Sequence, residues 1–124
     1  MALGRLALVT VDCPDPVALA RFYQSILGGE VNDAGAADHG WVELTTPGGV
    51  KVGFQRSETF VAPDWPNGGQ QAQAHLDIAP DDYDTALEEI VALGARRADA
   101  QPSPDHWIVF IDPAGHPFCL VRHP

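Results

Sequence analysis

Residues 15–29 read DPVALARFYQSILGG, and residues 81–94 answer them with DDYDTALEEIVALG. Asp15, Ala20, Leu27 and Gly28 recur 66 positions later as Asp81, Ala86, Leu93 and Gly94. The same offset carries Trp41, Pro47 and Gly49 onto Trp107, Pro113 and Gly115. A constant register across separated blocks predicts two copies of one helix-then-hairpin unit. In such a protein the pocket is expected where the two copies face each other.

Working outward from the first block, Asp15 can cap a helix whose first turn holds Pro16, where the missing proline donor costs nothing. Val17, Ala20 and Leu27, with Tyr23 or Gln24, follow at helical spacing, Phe22 and Ile26 widen the apolar face, and Gly28-Gly29 stops it. Upstream, Arg5 to Val11 (RLALVTV) reads as a buried strand. Downstream, Glu30 to Val31 opens a strand and Asn32 to His39 is a connection of small residues. Trp41 to Leu44 and Val50 to Gln55 flank Thr46-Pro47-Gly48-Gly49, a hairpin signal. Arg56 to Gln71 reads as the linker between copies and as a loop long enough to cover something.

The second copy repeats this order. Ala74 to Ile78 is a strand, Asp81 or Asp82 a cap, and Tyr83, Ala86, Leu87, Ile90 and Val91 form a helical stripe ending at Gly94. Arg96 to Ala98 begins the next strand. Trp107 to Ile111 and Phe118 to Val121 then close a hairpin around Asp112-Pro113-Ala114-Gly115. The predicted fold is α+β, two βαβββ modules with curved mixed sheets enclosing a cleft. A single domain over 1–124 would hold module 1 at about 3–57 and module 2 at about 72–122.

A chain of 124 residues can bury roughly two-thirds of its unfolded surface and needs no staple. Seven basic against seventeen acidic residues give a formal charge of -10, which repels phosphate backbones and anionic lipid and argues against nucleic-acid and membrane partners. Cys13 and Cys119 make no disulfide framework and are read as reduced. The start lacks a long apolar h-region and no apolar run nears the ~20 residues that span a bilayer, so the expected compartment is the cytoplasm. Gly28-Gly29 and Gly48-Gly49 match no nucleotide-binding spacing. Asp81, Asp82 and Asp84 are read as helix-start acids.

The stretches DPVALARFYQSILGG, AHLDIAPDDYDTALEEIVALGA and WIVFIDPAGHPFCLV resemble the vicinal oxygen chelate superfamily, the glyoxalase, bleomycin-resistance and extradiol dioxygenase group, and within it the small glyoxalase-like branch. That resemblance implies paired βαβββ modules around a U-shaped cavity, with a divalent metal held by one residue from each of four strands. Counted along the motifs, the four inherited positions are Leu8, Gly53, His75 and Cys119. Two of these carry no donor atom, and the oxygen donors that suit Mg²⁺ or Mn²⁺ are absent from all four. The expectation is therefore a metal-free binding protein of the glyoxalase or bleomycin-resistance type, with no cofactor, holding a small hydrophobic or aromatic molecule in the cleft. The alternative is a lyase, isomerase or dioxygenase-like enzyme with a non-standard site centred on His75, with or without metal.

Strand alternation over Ala74 to Ile78 puts His75 and Asp77 on one face and Leu76 on the other, so His75 points to the cavity. It can act as acid, base or polar contact, or be a satisfied semi-buried imidazole. Cys119 is either an inert pocket thiol or a partner of His75. Gln55 shares a face with Gly53 and is expected as a pocket polar group. Trp41 and Trp107, at equivalent places, and Trp65 in the linker are expected as flat walls, the equivalent pair being otherwise closures of the two hairpins or of an oligomer surface. His39, His106, His116 and His123 read as loop or surface histidines. Apolar sheet edges and the paired tryptophans favour a homodimer.

Overall fold

In the computed structural model, which describes residues 2–122, the elements follow one another as β1 (Val9–Cys13), α1 (Pro16–Leu27), β2 (Glu30–Asn32), α2 (Ala36–His39), β3 (Trp41–Thr45), β4 (Lys51–Arg56), β5 (Leu76–Ile78), α3 (Tyr83–Ala92), β6 (Arg96–Arg97), β7 (Trp107–Ile111) and β8 (Pro117–Val121). They fall into two compact units, one running to Phe60 and one from Val61 onward. Each unit carries a four-stranded mixed sheet, ordered β1-β4-β3-β2 in the first and β5-β8-β7-β6 in the second. In both, the strand before the long helix pairs in parallel with the last strand of the unit, and the other pairings are antiparallel. Two βαβββ modules of an α+β fold are thus present, as the duplicated motifs predict.

The helix starts follow from their caps. Asp15 accepts from the Ala18 backbone N–H at 3.1 Å and Asp82 from that of Thr85 at 3.1 Å, each meeting a donor the first helical turn leaves unpaired. The second cap is therefore Asp82, not Asp81. The caps lie 67 positions apart, whereas Gly28 and Gly94, which follow the helices with φ of 74° and 117°, lie 66 apart. The second copy is thus one residue shorter than the first between cap and glycine.

That difference in length accompanies a difference in packing. The buried residues of α1 include Leu19, Ala20, Phe22 and Tyr23, which meet the β3–β4 face carrying Val42, Leu44, Val52 and Phe54. The Tyr23 and Phe54 rings stack with centroids 5.9 Å apart. Among the described residues, α3 buries only Ile90, while Val91 and, just beyond the helix, Leu93 stay exposed. The corresponding sheet face is nonetheless apolar and buried, with Ile78, Ile108, Phe110, Phe118 and Leu120, and the Phe110 and Phe118 rings stacked at 5.9 Å.

Two expectations about local structure change. The first strand begins at Val9 rather than Arg5, because its parallel partner β4 supplies register only from Val9↔Val52 to Cys13↔Arg56. Without a partner on β4, Arg5 to Ala7 are exposed, Leu6 at 84%. The connection Asn32 to His39 contains the one-turn helix α2, closed by Gly40 in the left-handed region at φ 61°.

β6 pairs with β7 through Arg97↔Phe110, and the Ala98 N–H still reaches the Val109 carbonyl at 3.0 Å. There a side chain also joins the ladder. The Gln101 amide donates to the carbonyls of Ala98 and Val109, both at 2.8 Å, and its oxygen accepts from the Val109 N–H at 2.9 Å.

Candidate metal centre

Alternation along the second sheet separates two faces. Leu76, Ile78, Ile108, Phe110, Phe118 and Leu120 share one, and Asp77, Trp107, Val109, Cys119 and Val121 share the other. On that second face, within the second unit, lies a cavity of about 370 Å³. His75, just ahead of β5, and Asp77 and Cys119 are its ionisable lining, and Trp65, Trp107 and Val109 contribute apolar wall. Its size is that of a small-ligand site.

The three ionisable groups meet because of one register. Asp77 and Cys119 are direct partners across the parallel β5–β8 pair, and His75 is two residues before Asp77 on the same face. His75 Nε2 stands 3.1 Å from Asp77 Oδ1, with both side chains about half exposed. One donor atom from each of His75, Asp77 and Cys119 falls within a 4.8 Å group. Bonds of about 2.0–2.3 Å to one ion would set such donors roughly 3 to 4 Å apart, so small side-chain rotations suffice to close the set.

Cys119 is the buried member, 6% exposed and packed with Ala98, Val109 and Ile111, against which Trp65 and Val121 also rest. Burial, then the negative charge of Asp77 and a hydrogen bond to it, push the thiol from 9.0 up to about 11. Without a cation the sulfur therefore carries its proton at neutral pH. A cation would offset the very penalty that holds the proton there.

Of the residues expected in the pocket, His75, Cys119 and Trp107 stand together in the second unit. Gln55 and Trp41 lie in the first unit, as register partners across β3–β4. There the Gln55 amide donates to the carbonyls of His39 at 3.2 Å and Gly40 at 3.3 Å. Trp41 lies over Gly53, so closely that a Cβ on Gly53 would collide with the indole. Leu8 is half-buried ahead of β1. His39 and His106 are exposed, His106 Nδ1 being 2.8 Å from Ser103 Oγ. His116 is half-buried in the β7–β8 turn, and His123 lies outside the described residues.

Sequence reasoning missed Asp77 as a donor, whereas Trp65, offered as a wall from the linker, does line the cavity. Alternation had already put Asp77 beside His75, but only the β5–β8 register brings Cys119 to it. Trp65 sits in a proline- and glycine-rich stretch with no period to place it.

Two βαβββ modules in tandem, each with a four-stranded mixed sheet, are the architecture of the glyoxalase class. The profile of the glyoxalase-like domain matches residues 8–121, and the chain belongs to that family. Among solved structures, the fosfomycin resistance protein FosX from Mesorhizobium loti is 20% identical, with 100% of this chain and 94% of that chain covered at a TM-score of 0.68. A glyoxalase/bleomycin resistance protein/dioxygenase family enzyme from Burkholderia phytofirmans PsJN is 22% identical over 94% and 97% of the two chains, TM-score 0.68. A mutant FosX from Listeria monocytogenes, complexed with manganese(II) and 1S,2S-dihydroxypropylphosphonic acid, is 20% identical over 98% and 90%, TM-score 0.67. No curated protein matches the sequence. No helix of the described residues is long and apolar enough to cross a membrane.

The expectation of a metal-free binding protein is corrected by these findings. Nitrogen, oxygen and sulfur donors converge at His75, Asp77 and Cys119, on a fold shared with a relative solved with manganese(II). Counting one inherited ligand per strand gave too few donors because it passed over Asp77, which shares its strand segment with His75.

Proposed function

We propose that this protein is an enzyme of the lyase, isomerase or dioxygenase-like kind, with a non-standard site centred on His75 that holds a divalent cation between His75, Asp77 and Cys119. The observation that carries this reading is the convergence of those three donors, within 4.8 Å, at an apolar cavity. Three protein donors are the number that catalytic metal sites commonly present. A cation held there supplies Lewis-acid polarisation of a substrate oxygen.

The remaining work falls to the chain's own side chains. Trp65 and Trp107 offer flat surfaces to a small, partly apolar molecule, and Val109, beside Cys119, excludes water from the sulfur. His75 and Asp77, half exposed, are the groups an entering oxygen would meet. The cavity suits a molecule of modest size with one oxygen to present.

The finer organisation belongs to the same proposal: a single glyoxalase-like domain with modules at about 3–57 and 72–122, working as a cytoplasmic homodimer. Support for self-association comes from the exposed Leu3, Leu6 and Val9 at the start of the chain, where β1 forms a sheet edge. Light scattering at physiological salt checks it by doubled mass.

Metal content of protein purified without chelator and dialysed against a mixture of divalent cations tests the site. One cation per chain, lost in both His75→Ala and Asp77→Ala with the far-ultraviolet circular dichroism unchanged, is the expected result. A wild-type chain that retains none overturns the reading.

A further inference from the structure

Resting on that reading, we infer that the His75–Asp77–Cys119 site selects thiophilic cations, zinc(II) and cobalt(II), over magnesium(II) and manganese(II). The discriminating atom is the Cys119 sulfur. It is built into the cavity wall among Ala98, Val109 and Ile111 and is held opposite Asp77 by backbone register, so it cannot turn away from the site as a surface side chain could.

The oxygen supply points the same way. Magnesium and calcium take six or more ligands, largely oxygens, and manganese shares the preference for carboxylate, carbonyl and water. Among the described residues lining this cavity, Asp77 is the only carboxylate, and the neighbouring wall is valine, proline and indole. One imidazole, one carboxylate and one thiolate form instead a mixed nitrogen, oxygen and sulfur set that suits zinc and cobalt. Binding is redox-neutral: the sulfur–metal bond forms as the S–H bond breaks, and that proton passes to solvent, with no change of oxidation state.

The geometry also confines the site to one module. His75, Asp77 and Cys119 come from β5, the residue before it, and the adjacent β8, so the sulfur and the carboxylate are carried by a single pair of strands.

Cobalt(II) titration of the whole chain, followed by absorption, tests the inference. A sulfur-to-cobalt charge-transfer band should grow to one equivalent and vanish on adding zinc(II), but survive a large excess of magnesium(II) or manganese(II). Cys119→Ser should remove that band and weaken zinc binding on the order of tenfold or more. Cys13→Ser should keep it, and Asp77→Asn should weaken binding with the band intact, which guards against a folding artefact of the Cys119 variant. Cobalt binding without the sulfur band, or displacement by manganese as readily as by zinc, overturns the inference and leaves the proposed centre standing. A chain that binds none of these cations takes down the centre itself.

Discussion

The two modules build the same cross-strand row and finish it in opposite ways. In the first, Thr10, Gly53 and Glu43 stand side by side on β1, β4 and β3. In the second, Asp77, Cys119 and Val109 occupy those places on β5, β8 and β7. The tryptophans opening β3 and β7 also correspond, yet Trp41 lies down over a glycine whereas Trp107 is 37% exposed beside a cavity. A duplicated backbone thus holds register constant while the side chains on one sheet face decide whether that face is covered by its own tryptophan or open to a ligand. The opposite faces differ too, since α1 is firmly seated and α3 lightly so.

The most severe break in this comparison should come from the first module's core. Phe54→Ala is expected to cost about 3–5 kcal/mol in urea unfolding, because Phe54 is fully buried and stacked on Tyr23. Ile90→Ala, removing the buried residue of α3, should sit at the low end for such truncations, about 2 kcal/mol. Equal costs would show the helices to be equally seated.

A milder change addresses the covered face. Gly53→Ala must push the Trp41 ring aside, with an expected cost of about 1–3 kcal/mol and a red shift of tryptophan emission. The matching tryptophan deletions sharpen the contrast. Trp41→Ala should destabilise measurably, whereas Trp107→Ala should stay within about 0.5 kcal/mol of wild type. Similar values for the pair would remove the distinction between covered and open faces.

The smallest effects are protonic. With the Cys119 thiol pushed up to about 11, alkylation of the metal-free Cys13→Ser protein should be slow at neutral pH and climb roughly tenfold per pH unit until that value. Since the folded value lies above the ordinary 9.0, the stabilisation linked to it is present below 9.0 and fades as pH rises through about 11. A plateau of labelling near pH 9 would mean that the sulfur is not desolvated by its wall. Asp82 runs oppositely: hydrogen bonds from the Thr85 backbone and hydroxyl hold its carboxyl below 3.8. Its contribution is present above 3.8 and lost as pH falls through the lower folded value, so Asp82→Asn, which preserves the cap, should flatten that acid-side slope in thermal melts.

Much of the fold was legible because capping, glycine stops and turn prolines are local. Asp15, Gly28, Pro47 and Gly115 announce their elements within a few residues. The candidate site was half legible. Alternation placed His75 and Asp77 on one face, but the meeting of Asp77 with Cys119 depends on a parallel pairing over more than forty intervening residues, which no local pattern encodes. The duplication left one point open: its offset of 66 pairs Asp15 with Asp81, while the cap itself stands at 67, as Asp82 shows. Trp41 looked equivalent to Trp107 because the sequence shows the indole and Gly53 but not that the one lies over the other.

Gln101 makes one atom decisive. Its amide nitrogen faces two carbonyls and its amide oxygen faces one N–H, all within the ladder that positions Val109 beside Cys119. Hydrolytic deamidation, which leaves the shape of the side chain almost untouched, would set a carboxylate oxygen against both carbonyls and turn two attractions into repulsions. The wall of the cavity thus depends on a single nitrogen atom, and Gln101→Glu, which replaces it with oxygen, is the variant expected to loosen it.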